Sequence, residues 1–215
     1  MIARLRLPDA ACSAALLFLV LLAPPVKHAL ERSMTMQMLI QIPLLVIVGL
    51  LMTRALPARA SAVIADWNYR GISGLALVTL TSAFWMLPKT LDAAVSVPVV
   101  AMTKYLSVPM LIGLPLALSW SRMSFIVKGV LLLECIATLF RLGWLYLIWP
   151  ERLCNLYLLD DQQRLGQFLL LIGATLFLAL AWKLVWGRFD APTDTGVTPP
   201  RTHRDAALLQ HRTDS

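Results

Sequence analysis

The sequence predicts an all-α polytopic membrane protein, a bundle of about six transmembrane helices, and three observations carry that expectation. Of the 215 residues, 59% are hydrophobic and only 14% are charged, against about 25% charged in ordinary soluble domains. Mean hydropathy is +0.73. A soluble fold cannot cover so much apolar surface with so few polar groups, whereas a bilayer supplies an apolar solvent. Six stretches reach the roughly 20 mostly apolar residues that a spanning helix needs, and most basic and Trp residues bracket those stretches.

The first span is placed near 10–26. Arg4 and Arg6 precede it, and the run Leu16 to Ala23 forms its apolar centre. It reads as a retained helix and not a cleaved leader, because Asp9 interrupts the basic segment and Pro24–Pro25 follow the apolar run without a small-x-small site. The second span is placed near 33–53. The third, near 71–88, follows Trp67 and Tyr69 and closes on Trp85. The fourth, near 95–119, contains Pro98, Pro109 and Pro115 and closes on Trp120. The fifth, near 124–149, closes on Trp149, and the sixth, near 163–186, on Trp186. Trp favours the headgroup level, so these positions agree with the boundaries. Helices are expected because backbone polar groups find no water in lipid, and no alternating ten-residue pattern suggests a barrel. Residues 1–187 thus form one transmembrane bundle. From 188 to 215 the chain turns to Asp, Pro, Thr and Arg, with little to bury, and reads as a disordered cytoplasmic tail.

With the N-terminus inside, the inner segments hold most of the Lys and Arg residues. The outer ones hold Lys27, Arg32, Lys89, Arg152 and Arg164. That bias predicts both termini in the cytoplasm of a bacterial inner membrane, with outer loops near 27–32, 89–94 and 150–162. The net charge of +7 is explained by this bracketing. No basic stripe interleaved with aromatic residues occurs, so nucleic acid is not an expected partner. Cys12 and Cys135 lie in spans and Cys154 stands without a loop partner, so no disulfide framework is indicated.

Two sets of polar residues invite chemistry. The outer side collects His28, Glu31, Asp92, Cys154, Asp160, Asp161 and Gln162, and the second span opens with Met34, Met36 and Met38. Met34 and Met38 share a helix face, as do His28 and Glu31. Imidazole, thioether and carboxylate together suit copper, with Met favouring Cu(I). The plainer account is that Met fills gaps in apolar helices and that loop carboxylates are solvated.

The stretch from Lys27 to Leu45, KHALERSMTMQMLIQIPLL, resembles the cytochrome oxidase copper-assembly membrane proteins, the CtaG-like family. These carry a histidine pair four apart, then methionines and a Pro-Leu-Leu stretch. The segment Asp161-Gln162-Gln163-Arg164-Leu165-Gly166 is similar to their outer Asp-Gln-Gln-x-x-Gly motif. The resemblance is confined to these two short pieces, and Arg32 stands where the second histidine would be. The resemblance implies copper handling, or assembly of a respiratory oxidase complex, with His28, Met34, Met38, Asp92 and Asp161 as the residues concerned.

The second set lies inside the bilayer. Lys104 is roughly 14 Å into the fourth span and Arg141 roughly 12 Å into the fifth, at 1.5 Å per residue. Glu134 is two turns from Arg141 on one face, with Thr138 between. Intramembrane charges usually face the bundle interior and pair. Lys104, Glu134 and Arg141 are therefore read as one polar cluster. It would serve either as a proton or anion path or as a structural lock between the fourth and fifth spans. The three prolines and Gly113 in the fourth span point weakly to transport, since broken helices line transporter sites.

No enzyme is expected. Gly71-Ile72-Ser73-Gly74 looks like the Gly-x-Ser-Gly of rhomboid proteases, but that chemistry needs a histidine base nearby. The histidines are His28, on the opposite face, and His203 and His211 in the tail. No zinc-protease, phosphate-loop or dinucleotide motif occurs. Three roles remain: a copper-handling or oxidase-assembly accessory, a small transporter or channel subunit, or a structural subunit without ligand.

Overall fold

The computed structural model describes residues 7–57, 59, 64, 68, 71–120, 122–149 and 159–186, and every regular element among them is helical. The helices used below run in order: α1 Leu7–Leu22, α2 Pro24–Glu31, α3 Met34–Ala55, α4 Ile72–Trp85, α5 Pro88–Ser96, α6 Pro98–Trp120, α7 Phe125–Ile148 and α8 Leu159–Trp186. The segment 188–215, expected to be a disordered tail, and Cys154 lie outside the described residues.

Proline sets most of the helix boundaries. The ring of a proline pushes the preceding residue out of the helical region. Ala23, Leu56, Leu87, Val97 and Trp149 each precede a proline, and all five are extended, with ψ between 115° and 131°. At two of these points the chain bends sharply, by 68° between α1 and α2 and by 71° between α4 and α5. These bends correct two expected outer loops: 27–32 falls mostly within α2, and 89–94 lies within α5. They also shorten the first expected span, which stops as a straight helix at Leu22 instead of running to 26, and they move the start of the fourth from 95 to Pro98.

Pro43 and Pro115 sit within helices without breaking them. Each follows two residues after a short π-helical segment, Gln37–Gln41 in α3 and Val108–Gly113 in α6. In the first, the Ile42 amide donates to the Gln37 carbonyl, and in the second Leu114 donates to Pro109. These bonds reach back five residues. The wider turn relieves the clash between a proline ring and the carbonyl four residues earlier.

Among the described residues three helices, α3, α6 and residues 160–186 of α8, are long and apolar enough to cross a membrane, and counting each bent pair as one span gives up to five. The remaining long helix, α7, carries Lys128, Glu134 and Arg141 and falls outside that count. The outer surface is strongly apolar: Leu80, Val99, Ile126 and Val185, among many others, are more than half exposed. Such a surface in one chain fits a lipid solvent and not water.

The chain clusters into two units, residues 1–178 and 179–215. In the second, the described stretch 179–186 is helical, and Trp182 stacks on Trp186 with centroids 4.2 Å apart. In the first, α1, α3, α4 and α6 enclose a core of Leu21, Leu45, Val48, Val78, Trp85, Tyr105, Val108 and Ile112, to which Ala94 of α5 adds. A smaller core of Met34, Tyr146, Leu165 and Leu169 joins the start of α3 to α7 and α8. Glycine allows the closest crossings. A Cβ on Gly49 would lie 2.2 Å from the Pro109 carbonyl oxygen, and one on Gly113 2.4 Å from that of Val46, so α3 and α6 touch backbone to backbone. Gly143 and Gly166 make the same kind of contact between α7 and α8. Small residues at such crossings let helices pack without a hydrophobic driving force.

Candidate functional site: a buried ion pair inside the bundle

Lys104, on the last turn of α6 before its π segment, is completely buried. A buried ammonium is costly unless it is paired and hydrogen-bonded. Lys104 meets both conditions: its Nζ lies 3.2 Å from Glu31 Oε1 and donates to Gln41 Oε1 at 2.9 Å. It also lies 5.4 Å from the centroid of the Tyr105 ring. The Gln41 amide donates to the Tyr105 hydroxyl at 2.7 Å, and more weakly to Glu31 Oε1 at 3.4 Å. The Tyr105 hydroxyl in turn donates to the Leu21 carbonyl at 3.4 Å. Four side chains from α2, α3 and α6 thus form one connected network. The Glu31 side chain is only 8% exposed, so the pair is almost wholly removed from solvent.

Local structure explains the arrangement. The bend at Ala23–Pro24 turns α2 so that Glu31, its last residue, reaches Lys104. The π segment of α3 carries both Gln37 and Gln41, which are fully buried, and aims the Gln41 amide at the network. Tyr105 has a second role: it forms part of the wall of a cavity of about 450 Å³, whose remaining lining is apolar and includes Ala11, Ala14, Phe18, Val48 and Met110.

The expected cluster of Lys104, Glu134 and Arg141 divides in two. Arg141 does pair with Glu134, its Nη2 donating to Glu134 Oε1 while its Nε donates to the Ala137 carbonyl. Both side chains are more than half exposed on the outer face of α7. Lys104 takes its carboxylate from Glu31 instead. The lock between the fourth and fifth spans is thus replaced by one between α2 and α6. Glu31 stood out in sequence only as an outer-face acid, and Gln41 and Tyr105 did not stand out at all. The available signal was an amide flanked by Ile40 and Ile42 in an apolar run.

The five residues considered for copper are distributed as follows. His28 is exposed, and its Nδ1 lies 2.7 Å from the Pro24 carbonyl. Asp92 is partly exposed on α5, and its backbone carbonyl accepts from Ser96. Asp161 accepts from the Ser33 hydroxyl at 2.7 Å, from the Met34 amide at 2.5 Å and from the Thr35 hydroxyl at 3.2 Å. It therefore caps the N-terminus of α3 from another helix, satisfying donors that a helix start leaves open. Met34 is fully buried against Tyr146 and Leu165, and the Met38 sulfur lies 4.0 Å from the Tyr146 hydroxyl. Among the described residues, no three His, Cys, Asp or Glu side chains gather around one point. As placed, Met34, Met38 and Asp161 are committed to packing and capping, so the copper reading rests on the resemblance and not on a preformed donor set.

The rhomboid-like Gly71–Gly74 stretch also has a packing role. Gly71 is left-handed, with φ 77°. Asn68 accepts from the Gly74 amide at 3.0 Å and donates to Ser119 at 2.7 Å, tying the start of α4 to α6.

No protein-family model, no curated protein and no solved structure matches this chain.

Proposed function

We propose that this chain is a six-span integral protein of a bacterial inner membrane, both termini cytoplasmic, that serves as a small transporter or channel subunit moving protons through the Glu31–Lys104 centre. The observation that carries this reading is the fully buried Lys104, held by Glu31 and Gln41 inside an apolar bundle. Ionisable groups at membrane depth are expensive, and they mark ion paths and proton relays. Glu31, Lys104, Gln41 and Tyr105 form an unbroken hydrogen-bond chain with a titratable group on each side of the amide. Glu31 ends a short helix set at a 68° bend, so the carboxylate sits on the short arm of a bent span and not on a straight helix. Counting each bent pair as one span and adding α7 gives the six.

The test is proton flux. Full-length protein in liposomes, driven by an imposed membrane potential and read by an internal pH dye, should conduct above empty vesicles. Glu31→Gln should lower the flux at least tenfold. Wild-type flux equal to that of empty vesicles would leave the network a structural lock.

A second reading, an accessory of copper handling or respiratory-oxidase assembly, is favoured by one observation. The two short stretches that resemble the copper-assembly family, 27–45 and 161–166, meet at the Ser33–Asp161 and Met34–Asp161 bonds. Metal analysis after anaerobic Cu(I) loading and desalting decides it. About one copper in the wild type, lost in His28→Ala, supports this reading, and equal copper in both removes it.

A further inference from the structure

The Glu134–Arg141 pair is a charged feature on the outside of a helix that the six-span reading places in lipid. Glu134, Thr138 and Arg141 recur at helical spacing on one face of α7, and the buried residues Ile136, Gly143 and Tyr146 lie on the opposite face. The polar stripe therefore lies on the face of α7 opposite the one that packs against the described residues of its unit. Its neighbours Val130 and Ile148 are 61% and 58% exposed. A charged pair facing hydrocarbon is unfavourable, and intramembrane charges are normally turned toward protein or water.

The pair is only half satisfied. Glu134 Oε1 accepts from both Arg141 Nη2 and Thr138. Among the described residues Glu134 Oε2 accepts nothing, and Arg141 Nη1 donates to nothing. A guanidinium offers five donors and a carboxylate about four acceptor sites, so one unused edge remains on each group. Arg141 folds back along the helix to reach Glu134, which brings both charges to one depth even though their backbones are two turns apart.

We propose that this face of α7 is a homodimer interface, and that its occupant is a second copy of the same chain. Copies in one membrane share orientation, so a two-fold axis along the membrane normal brings equal depths together. The free edge of each Arg141 then meets the free Glu134 oxygen of the other copy, closing a four-member ring of alternating charge. A face that carries a donor surplus and an acceptor surplus at one level is complementary to itself. Ala137 beside the stripe leaves room for close approach of the two helices. The inference rests on α7 crossing the membrane, as the six-span reading has it, and is independent of proton movement.

The experiment places a single cysteine, Thr138→Cys, in full-length protein with Cys12, Cys135 and Cys154 replaced by Ser, reconstituted in lipid vesicles at high lipid-to-protein ratio. Oxidation should convert most of it to a disulfide dimer, while Leu80→Cys, on the exposed face of α4, should remain monomeric. Replacing Glu134 and Arg141 together by Gln leaves neither charge orphaned, so the fold is retained, and the Thr138→Cys dimer should fall at least tenfold. Equal crosslinking at positions 138 and 80, or crosslinking unchanged by the double replacement, overturns the interface. A membrane-impermeant maleimide separates this from a failure of the span. Full labelling of Thr138→Cys in unoxidised vesicles would place α7 in water and overturn both the six-span reading and the interface. A Thr138→Cys that is neither labelled nor crosslinked overturns the dimer alone.

Discussion

Two ion pairs in this protein differ in what surrounds them. Lys104 is completely buried and Glu31 nearly so. Removing one partner of a buried pair leaves an uncompensated charge and costs roughly 3–5 kcal/mol, while replacing both is far milder. Lys104→Met and Glu31→Gln should each lower thermal stability in detergent by an amount of that order, and the double variant should recover a large part of it. Strictly additive losses would mean the two groups do not interact. Glu134 and Arg141 are exposed in the single chain, and exposed pairs contribute roughly 0–1 kcal/mol. Glu134→Gln should therefore move the unfolding midpoint of detergent-solubilised monomer very little. Lys104 was visible in the sequence as an anomaly, because a Lys nine residues into an apolar run needs a partner. The identity of that partner was not visible, since Glu31 is 73 residues away and reaches it only through a bend set by Pro24.

At the level of elements, proline has opposite effects depending on the turn before it. Where the preceding residue goes extended, as at Ala23, Leu87 and Val97, the helix ends. Where a π segment precedes, as at Gln37–Gln41 and Val108–Gly113, the helix continues. Length and apolarity made the second, fourth and sixth spans legible to within a few residues. The same apolar runs concealed the breaks, because hydropathy does not register a change of direction, and so α2 and α5 were expected to be loops. The glycine crossings are testable at this scale. Gly49→Val would drive its side chain into the Pro109 carbonyl and the Gly113 backbone, neither of which can yield. Overpacking of this kind costs about 1–3 kcal/mol or more, readable as a lower unfolding midpoint. Gly129→Ala is the control: nothing lies within 4 Å of its added Cβ, and Ala is the better helix former by up to about 1 kcal/mol.

For the molecule as a whole, the proposed orientation rests on the excess of Lys and Arg in the segments placed inside. Reporter fusions at Arg122 and at the C-terminus should both read cytoplasm, and a periplasmic signal from either would invert the scheme. The resemblance to copper-assembly proteins touched two stretches that prove to be neighbours in space, yet Asp161 is occupied in capping α3. A short motif can thus mark a packing junction as readily as a ligand set, and only the partners of its side chains separate the two.

The backbone contact of Gly49 with Gly113 fixes how α3 and α6 can move relative to each other. Two helices that already touch main chain to main chain cannot close further, so any relative motion is a swing about that fulcrum. Gln41 lies eight residues from Gly49 and Lys104 nine from Gly113, arms of roughly 12–14 Å at 1.5 Å per residue. A swing of about 10° would carry the ends of such arms roughly 2 Å apart, enough to part a hydrogen bond of ordinary length. The joint that holds the two helices together therefore also sets the leverage with which the Lys104–Gln41 bond, 2.9 Å long at rest, is opened or kept shut.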